Sequence, residues 1–117
     1  MATIRDVVEA LSRRDGVDAV IILGNDGLPI DSRTANGTDG DLLAAFIPTI
    51  IQAADQLGRN SARGALTTGV LEYADGFAVV ATLSTEAKLL ILLRPHANLG
   101  PLLYDLARFR PEIAGLL

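Results

Sequence analysis

The sequence has no cysteine, no tryptophan and a single histidine, His96, among its 117 residues. Without cysteine there is no disulfide framework, zinc–thiolate site or thiol nucleophile. One histidine leaves too few strong ligands for a conventional zinc site. Two tyrosines and three phenylalanines are also few for stacking against nucleic-acid bases or sugars. We therefore expect no metal and no cofactor.

Long apolar runs and clusters of basic residues are missing as well. The longest apolar run, residues 42–47, has six residues, whereas a membrane helix needs roughly 20. The N-terminal segment has an acidic residue and no long apolar stretch, which is not typical of a secretory signal. The net charge is -4 and no basic run exceeds two residues, which argues against nucleic-acid binding. We expect one cytoplasmic domain, residues 1–117, with no membrane insertion and no nucleic-acid partner.

Apolar residues are abundant: 50% of the chain is hydrophobic, only 21% is charged, and the mean hydropathy is +0.36. A domain of this size has much surface for its volume and needs more polar cover than a larger one. The apolar excess therefore predicts strands buried on both faces of a sheet, or apolar surface that a partner covers.

Hydrophobic periodicity and turn residues divide the chain into three helices and five strands. Thr3 and Asp6 have the spacing of a capping box before the first helix, as do Thr38 and Asp41 before the second. The Gly-Asn-Asp-Gly segment at residues 24–27 is typical of a turn between antiparallel strands. The predicted helices are residues 4–14, 39–57 and 98–111, and the residues expected to stop them are Gly16, Gly58 and Pro111. The predicted strands are residues 17–23, 28–32, 65–73, 77–83 and 87–93.

The composition of the strands predicts their order in the sheet. Residues 17–23 and 89–93 are apolar at odd and even positions alike, as in central strands buried on both faces. Pro29 favours an edge position for the second strand, and the less apolar third strand fits the other edge. If consecutive strands pair, the chain is an α/β (α+β) sandwich, αββαβββα, with a five-stranded antiparallel sheet in the order 2-1-5-4-3. We expect the first and last helices on one face and the middle helix on the other.

The middle helix has a wider apolar arc than one core requires, spanning roughly 200° of its circumference. One stripe, which we expect to pack on the sheet, contains Leu42, Phe46, Ile50, Ala53 and Leu57. A second stripe left in water would form a large apolar patch, and such patches usually mark interfaces. A second copy of the chain is expected to cover it, although a helix tilted into a deep monomer core is the alternative. The predicted dimer interface comprises Leu43, Ala44, Ile47, Ile51 and Ala54 of this second stripe, with Leu66, Thr67, Thr68 and Val70 of the open third strand.

The rest of the helix surface and the loops give no catalytic site. Asp41, Ala45, Pro48, Gln52 and Asp55 form the remaining arc, which is either a solvated face or a short recognition surface. The sole histidine is isolated, the acidic residues at the helix start fit the helix dipole, and no phosphate-binding loop is present. Two arginines after the middle helix, at positions 59 and 63, are more typical of a solvated loop than of an arginine finger.

Several segments in this order resemble one known family. They are residues 16–30, Gly-Val-Asp-Ala-Val-Ile-Ile-Leu-Gly-Asn-Asp-Gly-Leu-Pro-Ile, then Ala53, Ala54 and Leu57 before Gly58, then Glu72-Tyr73, and finally Asn98-Leu99-Gly100. Over nearly its whole length the chain resembles the roadblock/dynein light chain domain family, most closely its short bacterial, MglB-like members. The resemblance implies a profilin-like sandwich that dimerises through the middle helix and the third strand.

The same resemblance implies a role. Members of this family serve as non-enzymatic partners of small Ras-like GTPases, as activators or scaffolds, or as adaptors in motor complexes. MglB-like homodimers contact the switch regions of a GTPase with the middle-helix surface and position the GTPase's own residues without inserting an arginine. Carried over to this chain, the GTPase-binding residues are Asp41, Ala45, Pro48, Gln52 and Asp55.

Four functions therefore compete. The leading hypothesis is a homodimeric, non-enzymatic regulator or scaffold of a small GTPase. The alternative is a structural adaptor dimer that bridges other proteins without nucleotide dependence. A small-molecule sensor comes third, since no convergent polar set for a ligand is evident. An enzyme comes last.

Overall fold

The computed structural model describes residues 2–35 and 37–117, and the order of their elements is the predicted αββαβββα. No helix in these two ranges is long and apolar enough to cross a bilayer. The helices are α1 (Ile4–Ser12), α2 (Gly40–Asn60) and α3 (Leu99–Ala114), and the strands are β1 (Val17–Gly24), β2 (Pro29–Thr34), β3 (Thr68–Tyr73), β4 (Gly76–Thr82) and β5 (Ala87–Leu93).

The five strands form one antiparallel sheet in the order β2-β1-β5-β4-β3, which confirms the predicted topology. β1 and β5 pair at the centre, with Ile21 opposite Leu90, because both strands are apolar on both faces. β2 begins with Pro29 and lies at one edge, where the missing N–H breaks no central ladder. The other edge is β3.

The helices cover both faces of the sheet as predicted. α1 and α3 lie on one face, where Val8, Leu102 and Leu106 pack against the sheet. α2 lies alone on the other face, where its buried residues meet Ile21 and Leu90. Two separate apolar cores, one on each face of the same sheet, account for much of the chain's high hydropathy.

The predicted capping chemistry holds at the start of α1 but not at the start of α2, nor at the start of α3, where Asn98 makes no side-chain capping hydrogen bond. Thr3 and Asp6 form the reciprocal capping box of α1. α2 is capped by Asp39, whose carboxylate accepts from the Leu42 N–H at 3.1 Å, and not by the predicted Thr38. The Asp39 carboxylate is a stronger acceptor than the Thr38 hydroxyl would be. Its negative charge also interacts favourably with the positive end of the helix dipole.

Gly58 and Pro111 do not end their helices, so those two predictions are wrong. α2 continues to Asn60, and the glycine instead allows close approach, because a Cβ there would lie 2.1 Å from the Gly64 carbonyl oxygen. α3 continues to Ala114 because a proline in the last turns removes a single backbone hydrogen bond, while Ile113 beyond it is buried in the core.

The two apolar stripes of α2 have the opposite orientation to the predicted one. Ala44, Ile47 and Ile51 are buried against the sheet. Of the stripe that was expected to pack there, Ile50 is half-buried against this core, and Leu42, Phe46, Ala53 and Leu57 are exposed. The exposed fractions of Leu42, Phe46 and Leu57 are 55%, 58% and 72%. Periodicity fixes the angle between two stripes but does not indicate which of them faces the sheet.

Candidate protein-binding surface on the middle helix

An apolar stripe runs along the outward side of α2, and we call it the outer stripe: Leu42, Phe46, Ile50, Ala53 and Leu57. Ile50 is half-buried, and the other four residues are exposed. Large exposed side chains aligned on one helix form a contiguous apolar patch, and a patch of this kind usually marks an interface. The outer stripe is therefore the first candidate functional surface of the chain.

A cleft separates the outer stripe from the sheet. α2 packs mainly over β2, β1, β5 and β4, and the cleft opens where β3 continues the sheet. Its volume is about 370 Å³. Leu43, Phe46 and Ile50 line the helix side, and Leu71, Tyr73 and Leu92 are among the residues that line the sheet side. The lining is apolar, so the cleft fits side chains of a protein partner better than a polar ligand.

β3 presents its free edge beside this cleft. Thr68, Val70 and Glu72 pair with residues of β4 that face α1 and α3, so their side chains lie on that face of the sheet. Leu71 and Tyr73 lie on the α2 face. An edge strand offers unpaired backbone groups to another strand. The outer stripe, the cleft and the β3 edge thus form one continuous surface.

The residues predicted to form the dimer interface lie in different environments in the structure. Ala44, Ile47 and Ile51 are used within the chain's own core, so their predicted outward position is wrong. Leu43 and Ala54 are half-buried at the border of the helix, and Val70 is exposed on β3. Thr68 begins β3. Thr67 lies just before the strand, and the Thr67 carbonyl accepts a hydrogen bond from the Thr82 N–H at 3.0 Å. Leu66 packs against the α2-side core.

The predicted GTPase-binding residues lie along the side of α2 next to the β1–β2 turn. Gly27 of that turn, at a φ of +80°, comes close to the helix, since a Cβ there would lie 3.3 Å from the Ala45 Cα and 3.5 Å from Pro48. Asp41, Ala45 and Gln52 are exposed, and Pro48 is half-buried. The turn and the helix side therefore form one surface.

Asp55 has a structural contact that the sequence does not reveal. Its Oδ1 accepts a 2.6 Å hydrogen bond from the Leu66 N–H, which ties the segment before β3 to α2. The predicted start of the third strand at residue 65 is three residues too early, because this segment is held by the carboxylate and joins the sheet only at Thr68. Asp55 is thus primarily a local anchor.

A groove beside the same side of α2 brings together polar residues that the sequence did not place at one site. It has a volume of about 310 Å³, and Asn25, Arg59 and Lys88 line it together with Pro48 and Gln52. The Asn25 amide donates to the Thr85 carbonyl at 2.8 Å, and this fixes the β1–β2 turn against the β4–β5 turn. No local motif brings these residues together, because they come from a turn, a helix end and a strand.

The remaining candidates offer little chemistry. His96 is exposed in the β5–α3 connection at a φ of 70°. A groove of about 270 Å³ between α1 and α3 is mostly apolar, and its Arg14 and Asp105 are paired with each other at 2.7 Å. Within residues 2–35 and 37–117, no group of three or more His, Cys, Asp or Glu residues could hold a metal ion.

Comparisons with known proteins agree with this fold. The family model described as Roadblock/LC7 domain matches residues 3–93. Myxococcus xanthus MglB superposes with a TM-score of 0.86 at 16% identity, covering 97% of this chain and 93% of that chain. A Roadblock/LC7 domain from Streptomyces avermitilis has a TM-score of 0.85 at 19% identity, covering 97% of each chain.

A third similar structure is described as MglB with tetrameric arrangement, with a TM-score of 0.84 at 17% identity, covering 97% of this chain and 86% of that chain. At these identities the structures show a shared fold. A comparison with curated proteins gives no significant match.

Proposed function

The chain belongs to the Roadblock/LC7 domain family, and from that premise we propose that it is a homodimeric, non-enzymatic regulator or scaffold of a small Ras-like GTPase in the cytoplasm. At family level these domains are regulators and adaptors, not catalysts. The observation that carries the proposal is the exposed outer stripe of α2 beside the free edge of β3. The GTPase partner comes from the family resemblance of the sequence.

The proposed dimer joins two copies through β3 and packs their outer stripes together. Each copy would place its Phe46 and Leu57 against the other, and the apolar cleft would be filled by side chains of the partner. Burying one large apolar side chain contributes about 1.5–3 kcal/mol at most. Several such side chains from each copy are of the order needed to offset an association cost of about 4–15 kcal/mol. The MglB structure described with a tetrameric arrangement supports self-association in chains of this fold.

The proposed GTPase surface is the side of α2 next to the β1–β2 turn. It combines Asp41, Ala45, Pro48 and Gln52 with the cationic rim formed by Arg59 and Lys88. Asp55 contributes to it mainly by holding the neighbouring loop. Binding energy would bias the switch loops of the GTPase toward one conformation, and the GTPase would supply its own catalytic groups.

The direct test titrates the purified protein against small GTPases from the same cell, each loaded with GDP or with a non-hydrolysable GTP analogue. The proposal expects a complex that forms preferentially with one nucleotide state, or a changed rate of GTP hydrolysis. Equal affinity for both states together with unchanged hydrolysis, for every small GTPase of that cell, would contradict it.

A structural adaptor dimer is the second candidate. Leu28 and Ile30, beside and on β2, are exposed by 64% and 53% at the sheet edge opposite β3. In a dimer joined through β3 these two patches would lie at opposite ends, an arrangement suited to bridging two further proteins. The adaptor proposal expects partners that bind with the same affinity whatever nucleotide is present.

A further inference from the structure

Arg110 reaches from α3 to the edge strand, and its guanidinium forms no ion pair within residues 2–35 and 37–117. Its Nη2 donates to the Thr68 Oγ1 at the start of β3. Its Nε is buried and has no acceptor among residues 2–35 and 37–117. A second chain can therefore reach only the terminal N–H groups of the guanidinium, and this cationic group has no carboxylate partner within the described ranges.

Glu72 is an exposed carboxylate on the same strand and the same face of the sheet. It pairs with Phe77 of β4, and Thr68 pairs with Ala81, and both of these β4 residues face α1 and α3. Glu72 forms no ion pair within the described ranges. Four residues along one strand span about 13 Å. The Glu72 carboxylate is therefore too far away to serve as the acceptor for Arg110 of its own chain.

A two-fold axis brings the two groups together across the dimer. When two identical edge strands pair antiparallel about an axis perpendicular to the sheet, each face continues into the same face of the partner. The axis then passes beside one residue, which lies opposite its own copy. With Val70 on the axis, Thr68 lies opposite the partner's Glu72. Opposite residues in a strand pair have Cβ atoms about 4.5–5.5 Å apart, so this carboxylate comes beside the Arg110 guanidinium.

Neighbouring registers do not place Glu72 directly opposite Thr68. An axis at Gly69 sets Glu72 opposite residue 66, and an axis at Leu71 sets it opposite Val70. The Val70 register also places that side chain, 40% exposed in one chain, against its own copy. This register therefore gives the Arg110 guanidinium a carboxylate partner and covers an apolar side chain at once.

We propose that Arg110 of one copy and Glu72 of the other form two symmetry-related ion pairs, which fix the β3–β3 register with Val70 on the two-fold axis. The inference rests on the proposed homodimer and goes further by naming the register and the residues that specify it. Complementary charges that lie on opposite sides of an interface give it specificity. The pair thus makes this chain selective for its own copy over other domains of the same fold that have a different edge.

Two charge reversals test the pairing when their chains are mixed. Chains carrying Arg110→Glu have like charges at both sites of their homodimer, and so do chains carrying Glu72→Arg. Each variant alone should dimerise at least about tenfold more weakly than the wild type in sedimentation equilibrium. An equimolar mixture should recover the dimer as a heterodimer, because both sites are then complementary. A contact within one chain would not be rescued by mixing.

Matched controls keep the outcomes distinct. Arg108→Glu and Glu86→Arg reverse exposed charges on the same helix and in the β4–β5 turn, away from β3, and they should leave dimerisation unchanged. Circular dichroism reports whether each variant remains folded. If folded Arg110→Glu and Glu72→Arg chains dimerise like the wild type, or if mixing brings no recovery, the ion pair is wrong and the homodimer stands. If the wild type is itself a monomer at every concentration, the proposed homodimer fails as well.

Discussion

The Leu66 backbone N–H donates a 2.6 Å hydrogen bond to the Asp55 carboxylate, and this contact ties the C-terminal part of α2 to the segment that leads into β3. Both elements belong to the proposed dimer surface, so the contact sets where the edge strand begins relative to the outer stripe. A hydrogen bond to a charged group contributes about 1.5–3 kcal/mol. The bond is part-buried, which limits screening by solvent.

Asp55→Ala should lower the free energy of unfolding by about 1–3 kcal/mol, because the Leu66 N–H loses its acceptor. Urea denaturation followed by circular dichroism measures the change. Gln52→Ala, three residues earlier and exposed on the same helix, is the matched control and should lie close to the wild type. An Asp55→Ala protein as stable as this control would show that the hydrogen bond does not anchor the loop.

Gly58→Ala should destabilise the fold by more than about 1 kcal/mol, although alanine is the better helix former by about 1 kcal/mol. The added Cβ would lie 2.1 Å from the Gly64 carbonyl oxygen, so the loop after α2 has to move. Gly100→Ala is the control, since a Cβ there meets nothing closer than 3.8 Å. The denaturant midpoint should fall for Gly58→Ala and rise for Gly100→Ala. A Gly58→Ala protein that is more stable than the wild type would contradict the close approach.

Asp55 and Gly58 also show which contacts could not be predicted from the sequence. Turns, caps and strand burial are local signals, so the element order and the strand order could be predicted from them. Asp55 and Gly58 act on residues that follow the helix, and a helix pattern contains no information about such contacts. Their tertiary roles therefore could not be predicted from spacing alone.

The orientation of α2 could not be predicted for a related reason. Its two stripes are similarly apolar, so the hydrophobic pattern fits the sheet in either orientation. The structure resolves the choice by packing: Ala44 is small enough for close approach, and the two branched isoleucines, Ile47 and Ile51, fill the core beside it. We still propose that this helix forms the dimer surface, but through Leu42, Phe46 and Leu57 instead of Ala44, Ile47 and Ile51.

Ala45→Arg should weaken binding to the cognate GTPase at least about tenfold, because the residue is exposed where the β1–β2 turn meets α2. The dimer should persist, since Ala45 lies outside the outer stripe. Tyr104→Arg, on an exposed position of α3, is the control and should bind normally. Calorimetric titration measures the affinity. A folded Ala45→Arg dimer with unchanged affinity would remove this side of α2 from the proposed contact.

Ile51→Asp should unfold the single chain and should not simply separate two copies. Ile51 is 2% exposed and packs on the sheet. An unpaired buried carboxylate costs several kcal/mol, which is a large part of the stability of a domain this size. Circular dichroism should therefore show loss of structure. A folded Ile51→Asp monomer would place Ile51 back at an interface and would contradict the orientation of α2.

The central claim, that the outer stripe joins two copies, is tested most directly by the mass in solution of the wild type and of a Phe46→Asp variant. Phe46 is 58% exposed in one chain, so the variant should stay folded. Light scattering on a sizing column should give a dimer for the wild type and a folded monomer for Phe46→Asp. A wild type that runs as a monomer, or a Phe46→Asp protein that remains a dimer, would contradict the account.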